Sequence, residues 1–164
     1  MKTSLRMAGL IAALVGFLPA ITLRAADTIV TPAMVGHWAG NAQIVVAWCH
    51  HPNLPVKVDI QADGTVTGTV GDARLTGGRF ESNRGWLFRR LNWATDYIIT
   101  GGLDGDIVAA EGINRARVKI PLNFSNDTFQ GGVNTSGSGF EGFYGKAGEG
   151  TWMAARSLTL IHGQ

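Results

Sequence analysis

The chain has 164 residues, 45% hydrophobic and 16% charged, with 14 Lys plus Arg against 12 Asp plus Glu. That length gives one domain with a real core and is too short for two ordinary ones. Lys2, Arg6 and Arg24 all precede residue 27, so residues 27–164 hold 11 basic against 12 acidic side chains; the sequence pI of 9.0 belongs largely to the leading residues, and a nucleic-acid partner loses its electrostatic basis.

Residues 1–26 read as a signal peptide. Lys2 and Arg6 open it, an uncharged, mainly apolar run extends from Met7 to Leu23, and Ala25-Ala26 supplies small residues for cleavage. No later run is apolar enough to span a bilayer, so the expected product is a secreted or periplasmic protein without a transmembrane span. The single Cys49 closes no internal disulfide. Cys49-His50-His51 falls short of a metal site, because His37 and His162 lie far off in sequence and three or four converging donors are needed; no metal and no cofactor is expected.

Residues 27–164 read as strand after strand. Gly36–Trp48 carries Trp38, Ala42, Ile44, Val46 and Trp48 at even positions, the pattern of a long first strand with an apolar inner face. Val56–Val70 is a hairpin around Asp63-Gly64: Val56, Val58 and Ile60 share the dry face, Lys57 and Asp59 the wet one. It extends toward Leu75, and Gly77–Ser82 follows as a further strand. Asn83–Ala94 fits a short amphipathic helix as well as a strand and turn. Tyr97–Leu103 and Asp106–Gly112 flank Asp104-Gly105, a second hairpin signal. Arg115–Phe124 alternates Ala116, Val118, Ile120, Leu122 and Phe124 with Arg115, Arg117, Lys119, Pro121 and Asn123, and Pro121 marks an edge, a bulge or a strand end. Thr128–Val133 is a short strand, 131–150 is glycine-rich, and Trp152–His162 places Trp152, Ala154, Leu158 and Leu160 on one face with Arg156.

About eight short strands joined by tight turns imply an all-β fold, a single antiparallel up-and-down barrel over 27–164, with a β-sandwich as the alternative. Gly36-His37-Trp38 resembles the G-x-W that opens the first strand of lipocalins and related calycin barrels, including avidin-like proteins. Ala62–Gly68 is similar to an early avidin hairpin. In lipocalins that Trp packs at the barrel floor against a late Arg, a role the resemblance assigns to Arg156. It carries no ligand with it.

Small barrels either fill their interior or hold one small guest. Trp38, Trp48 and Trp152 on inner faces, with Arg156 and Glu111 as polar groups, are the candidate ligand-binding residues; Glu111 alternates with Ile107, Ala109 and Ile113. Packing those tryptophans as core is the competing reading. No nucleophile elbow, phosphate loop or zinc-protease helix is present, so no catalytic residue can be named. The expected function is an exported non-catalytic barrel binding a small apolar or amphipathic molecule. The alternative is an envelope structural or interaction protein using an outer basic stripe, Arg115, Arg117 and Lys119, or the 131–150 loop. Neither reading fixes an oligomeric state.

Overall fold

A computed structural model describes residues 29–83, 95–137 and 152–163, the last segment without the Trp152 side chain. The described residues form ten strands: β1 Gly36–Ile44, β2 Asn53–Ile60, β3 Thr65–Val70, β4 Ala73–Ser82, β5 Tyr97–Asp104, β6 Asp106–Val108, β7 Ile113–Asn114, β8 Arg117–Ser125, β9 Thr128–Ser136 and β10 Trp152–His162. Eight of them close an antiparallel barrel in the order β1-β10-β9-β8-β5-β4-β3-β2, while β6 and β7 form a separate two-stranded sheet. The expected up-and-down barrel is therefore the fold. The leader, most of 83–94 and most of the glycine-rich loop lie outside the described residues.

The Val56–Val70 hairpin forms as its alternation requires. Val56 faces Val70 and Ile60 faces Val66, with Val56, Val58 and Ile60 buried and Lys57 and Asp59 exposed. Its turn is held by Asp63, whose Oδ1 accepts the Thr65 N–H at 2.8 Å and whose Oδ2 accepts the Thr65 hydroxyl at 2.9 Å. Between β8 and β9 the two-residue turn Asn126-Asp127 has φ of 51° and 54°, the left-handed pair of a type I′ turn. Pro121 sits inside β8, and the β8–β9 ladder lacks pairs at Ile120 and Pro121, where the ring leaves no N–H to donate.

Two bulges break the strict alternation read from the sequence. In β4, register against β5 shifts between Thr76 and Arg79, with Gly77 at φ 57°; inward parity moves from Ala73 and Leu75 to Gly78 and Phe80. Leu75 and Gly77–Ser82 thus belong to one strand, not two. In β10, register against β9 shifts between Ala155 and Leu158, with Ser157 at φ 57°. Met153 and Ala155 point inward before it, Leu158 and Leu160 after it. The expected inner face is consequently not where Ala154 and Arg156 lie: Ala154 is half-buried and Arg156 exposed.

Asp104-Gly105 makes no hairpin within the barrel. β5 pairs with β4 and β8, and the chain leaves at Gly105 for an excursion in which Asp106 faces Asn114 and Val108 faces Ile113. The excursion is pinned to the β3–β4 turn, where Asp72 accepts the Ala109 N–H at 2.9 Å and donates its own N–H to the Ile107 carbonyl at 3.1 Å.

Both ends are covered. At one end, residues 29–35 cross the barrel with Val30 and Met34 buried, and the Trp38 indole N–H donates to the Met34 carbonyl at 3.0 Å. Trp38 lies edge-on to Phe129 at 4.7 Å and to His162 at 4.8 Å, with Phe80 stacked on Tyr97 at 5.1 Å nearby. At the other end the excursion itself supplies the cover, with its Ile107 and Val108 buried. Between them Val56, Ile99, Ile120, Leu122, Leu158 and Leu160 are fully buried and fill the inner layers.

Candidate functional site

The aromatic end carries two histidines, both tied locally: His37 Nδ1 lies 2.9 Å from Asp59 Oδ1 on the exposed face, and His162 Nε2 lies 3.1 Å from the Val35 carbonyl. The opposite end gathers the chemistry-bearing side chains, from the β1–β2 loop (45–52), the 105–116 excursion and the end of β9. Here β1 stops at Ile44, whose N–H donates to the Pro52 carbonyl at 2.9 Å, so Trp48 sits in a turn and not on a strand face. Cys49 donates its N–H to the Val46 carbonyl at 3.3 Å, closing that turn.

Arg115 is the focus. Its odd position predicts the outer stripe, but the chain bends at 115–116 before β8 begins and the side chain turns in, leaving only 4% of the residue exposed. The guanidinium lies over the Trp48 ring, 4.7 Å from its centroid. Among the described residues no carboxylate lies within ion-pair distance of it, and its Nε has no hydrogen-bond partner. A side chain at Gly137 would come within 4.0 Å of Nη1, so the guanidinium borders the point where β9 gives way to the glycine-rich loop. Thr135, two residues back, is 1% exposed and its hydroxyl is also unpartnered. Burial lowers the pKa of the guanidinium, yet arginine keeps its proton under any ordinary condition.

Glu111 ends a short 3₁₀ turn, Ala109–Glu111, instead of lining the barrel with Ile107 and Ile113. Its Oε2 accepts the His50 N–H at 3.1 Å and lies 3.6 Å from His50 Nδ1, tying the β1–β2 loop to the excursion. The His50 N–H is the main reason that its carboxyl titrates below the usual range. Burial pushes the Cys49 thiol up, and the Glu111 carboxylate adds to that. This thiol is thus held as a poor nucleophile. No group of three or more His, Cys, Asp or Glu placed to hold a metal ion occurs among the described residues.

The sequence-derived candidates therefore scatter. Trp38 is fully buried in the aromatic end, Arg156 is on the outer face, and Trp152 has only its backbone described, opposite Ser136. Trp48 and Glu111 come to one end, through loops. Arg115, Cys49 and Thr135 join them unanticipated. Strand periodicity, which assigns Arg115 outward, carries no signal for the bend that turns it inward.

Outside the barrel, Arg117 and Lys119 with Thr100, Asn134 and Ser136 border a cleft of about 440 Å³. A neighbouring hollow of about 340 Å³ is lined by Gly132, Asn134, Ala154 and Arg156. Two members of the expected basic stripe, Arg117 and Lys119, thus do face outward. No protein-family model, no curated protein and no solved structure matches the chain.

Proposed function

We propose that this is an exported, non-catalytic barrel of the calycin type that binds a small amphipathic molecule at the Trp48 and Arg115 end. The observation that carries the reading is the convergence there of an indole face and a buried cation that has no acidic partner among the described residues. Val46, Leu103 and Ile113, all partly buried against the core, supply an apolar rim. The interior layers hold packed side chains, which favours the end over the depth of the barrel. A closed eight-strand barrel opened by Gly36-His37-Trp38 supports the calycin type; an outward Arg156 departs from the lipocalin floor pairing. Export rests on the leader sequence, and N-terminal sequencing of the mature protein is expected to begin near Ala26.

Tryptophan fluorescence tests the binding reading. Titration of the full chain with octanoate or 1-octanol is expected to perturb emission in wild type and not in Trp48→Phe. Unchanged emission with both compounds refutes it. The outer cleft beside Arg117 and Lys119 favours a second reading, docking of an anionic partner. Charge reversal at both positions that leaves every co-purifying partner in place refutes that one.

A further inference from the structure

The geometry points to a specific chemistry for the guest: we infer that Arg115 and Thr135 form the recognition site for a single carboxylate. The inference deepens the proposed binding function and rests on it. Arginine cannot shed its charge, and a guanidinium buried without an acceptor is costly enough that folded proteins supply a counter-anion. Trp48 packs against the guanidinium on one side, 4.7 Å from ring centroid to Cζ. The donors of the guanidinium lie in the plane of its fork, the buried Nε has no acceptor among the described residues, and an in-plane pair of donors matches the two oxygens of a carboxylate. Thr135 carries the other unpartnered buried polar atom among the described residues, one strand-face step from Gly137, which the guanidinium borders. Its hydroxyl is free to donate to the same anion.

The apolar rim of Val46, Leu103 and Ile113 favours a carboxylate that carries a hydrocarbon body. Two sources meet that description: a free amphipathic acid, or a carboxylate of the chain itself, Glu141 or Glu149, both in the segment outside the described residues.

Calorimetric titration of the full chain with octanoate and with 1-octanol separates the possibilities. In wild type, octanoate is expected to bind about tenfold or more tighter than the alcohol, a preference lost in Arg115→Met and reduced in Thr135→Val. If Arg115→Met does not fold by circular dichroism, Arg115→Lys, which keeps the charge and loses the fork, is read in its place, with the preference expected to fall but not to vanish. Octanoate binding that appears only in Glu141→Gln/Glu149→Gln, and disappears when Arg115→Met is added, supports the same carboxylate site filled from within the chain. Equal affinity of wild type for acid and alcohol, or a preference undiminished in the Arg115 variant that is read, overturns the carboxylate site while leaving a binding end intact. Absence of binding by either compound to wild type overturns the proposed function, and absence in Glu141→Gln/Glu149→Gln as well overturns the carboxylate site too.

Discussion

Trp38→Phe is the substitution that best tests how the aromatic end is held. The Trp38 side chain is fully buried, and its N–H supplies the Met34 carbonyl with a hydrogen bond of 3.0 Å across the segment that covers this end. Phenylalanine removes that donor, leaving a buried carbonyl unpaired at about 1–3 kcal/mol. It also empties the space of the second ring beside Phe129 and His162, worth about 1–2 kcal/mol when neighbours collapse only partly. The sum is about 2–4 kcal/mol, or a drop of roughly 10 °C in Tm for a domain of this size. Urea unfolding followed by far-UV circular dichroism gives the first quantity, scanning calorimetry the second. Because the lost bond is the one to residue 34, hydrogen exchange in 29–35 is expected to quicken more than in β2 or β8. A loss below about 1 kcal/mol, or exchange in 29–35 equal to wild type, refutes the argument that Trp38 ties this segment to the barrel.

Asp127→Gly places Asn-Gly, the preferred type I′ pair, in the β8–β9 turn and relieves a left-handed aspartate; unfolding midpoints are expected to rise by about 0.5–1 kcal/mol, and a fall contradicts the turn assignment. Gly131→Ala drives a methyl group into the Pro121 carbonyl of the neighbouring strand, and a loss of about 1–3 kcal/mol is expected in the same assay; a neutral result contradicts that close approach. Arg156→Glu lies on the outer face and is expected to change stability by no more than about 0.5 kcal/mol, whereas a large loss would mean that it packs inside. Glu111 has a folded pKa below its unfolded one, so the tie it makes is complete above about pH 4.3 and is lost as pH falls through the folded value. The protection factor of the His50 amide, with the intrinsic pH dependence of exchange divided out, is therefore expected to fall on acidification in wild type and to be low at every pH in Glu111→Ala; pH-independent protection in wild type contradicts this.

The barrel was legible because its strands obey a period of two wherever a bulge is absent. Val56, Val58 and Ile60, and again Val118, Ile120 and Leu122, point inward as their spacing demands. A bulge adds one residue and reverses every later assignment, and the left-handed backbone at Ser157 has no signature in a residue type that rarely adopts it. Arg156 was misplaced for that reason. Asp104-Gly105 looked like a hairpin because the dipeptide encodes a turn and not the destination of the chain after it. The site was less legible than the fold. Arg115, Trp48 and Thr135 are brought together by a bend, a loop and a strand end, and none of these is a periodic feature.

Barrel closure also bears on how the chain folds. Most of the ladders join strands that follow one another around the meander, and such hairpins can zip from their turns in microseconds. The β1–β10 ladder is different, since it pairs Trp38 with His162 and Ala39 with Ile161, across nearly the whole span of the barrel. Its loop entropy is met before any of its contacts form, which makes closure the expected slow step, on a scale of milliseconds to seconds. Until then β1 and β10 are two open edges of one curved sheet. The interval before closure is when the chain is most exposed to pairing with another copy of itself, a hazard that the finished barrel no longer carries.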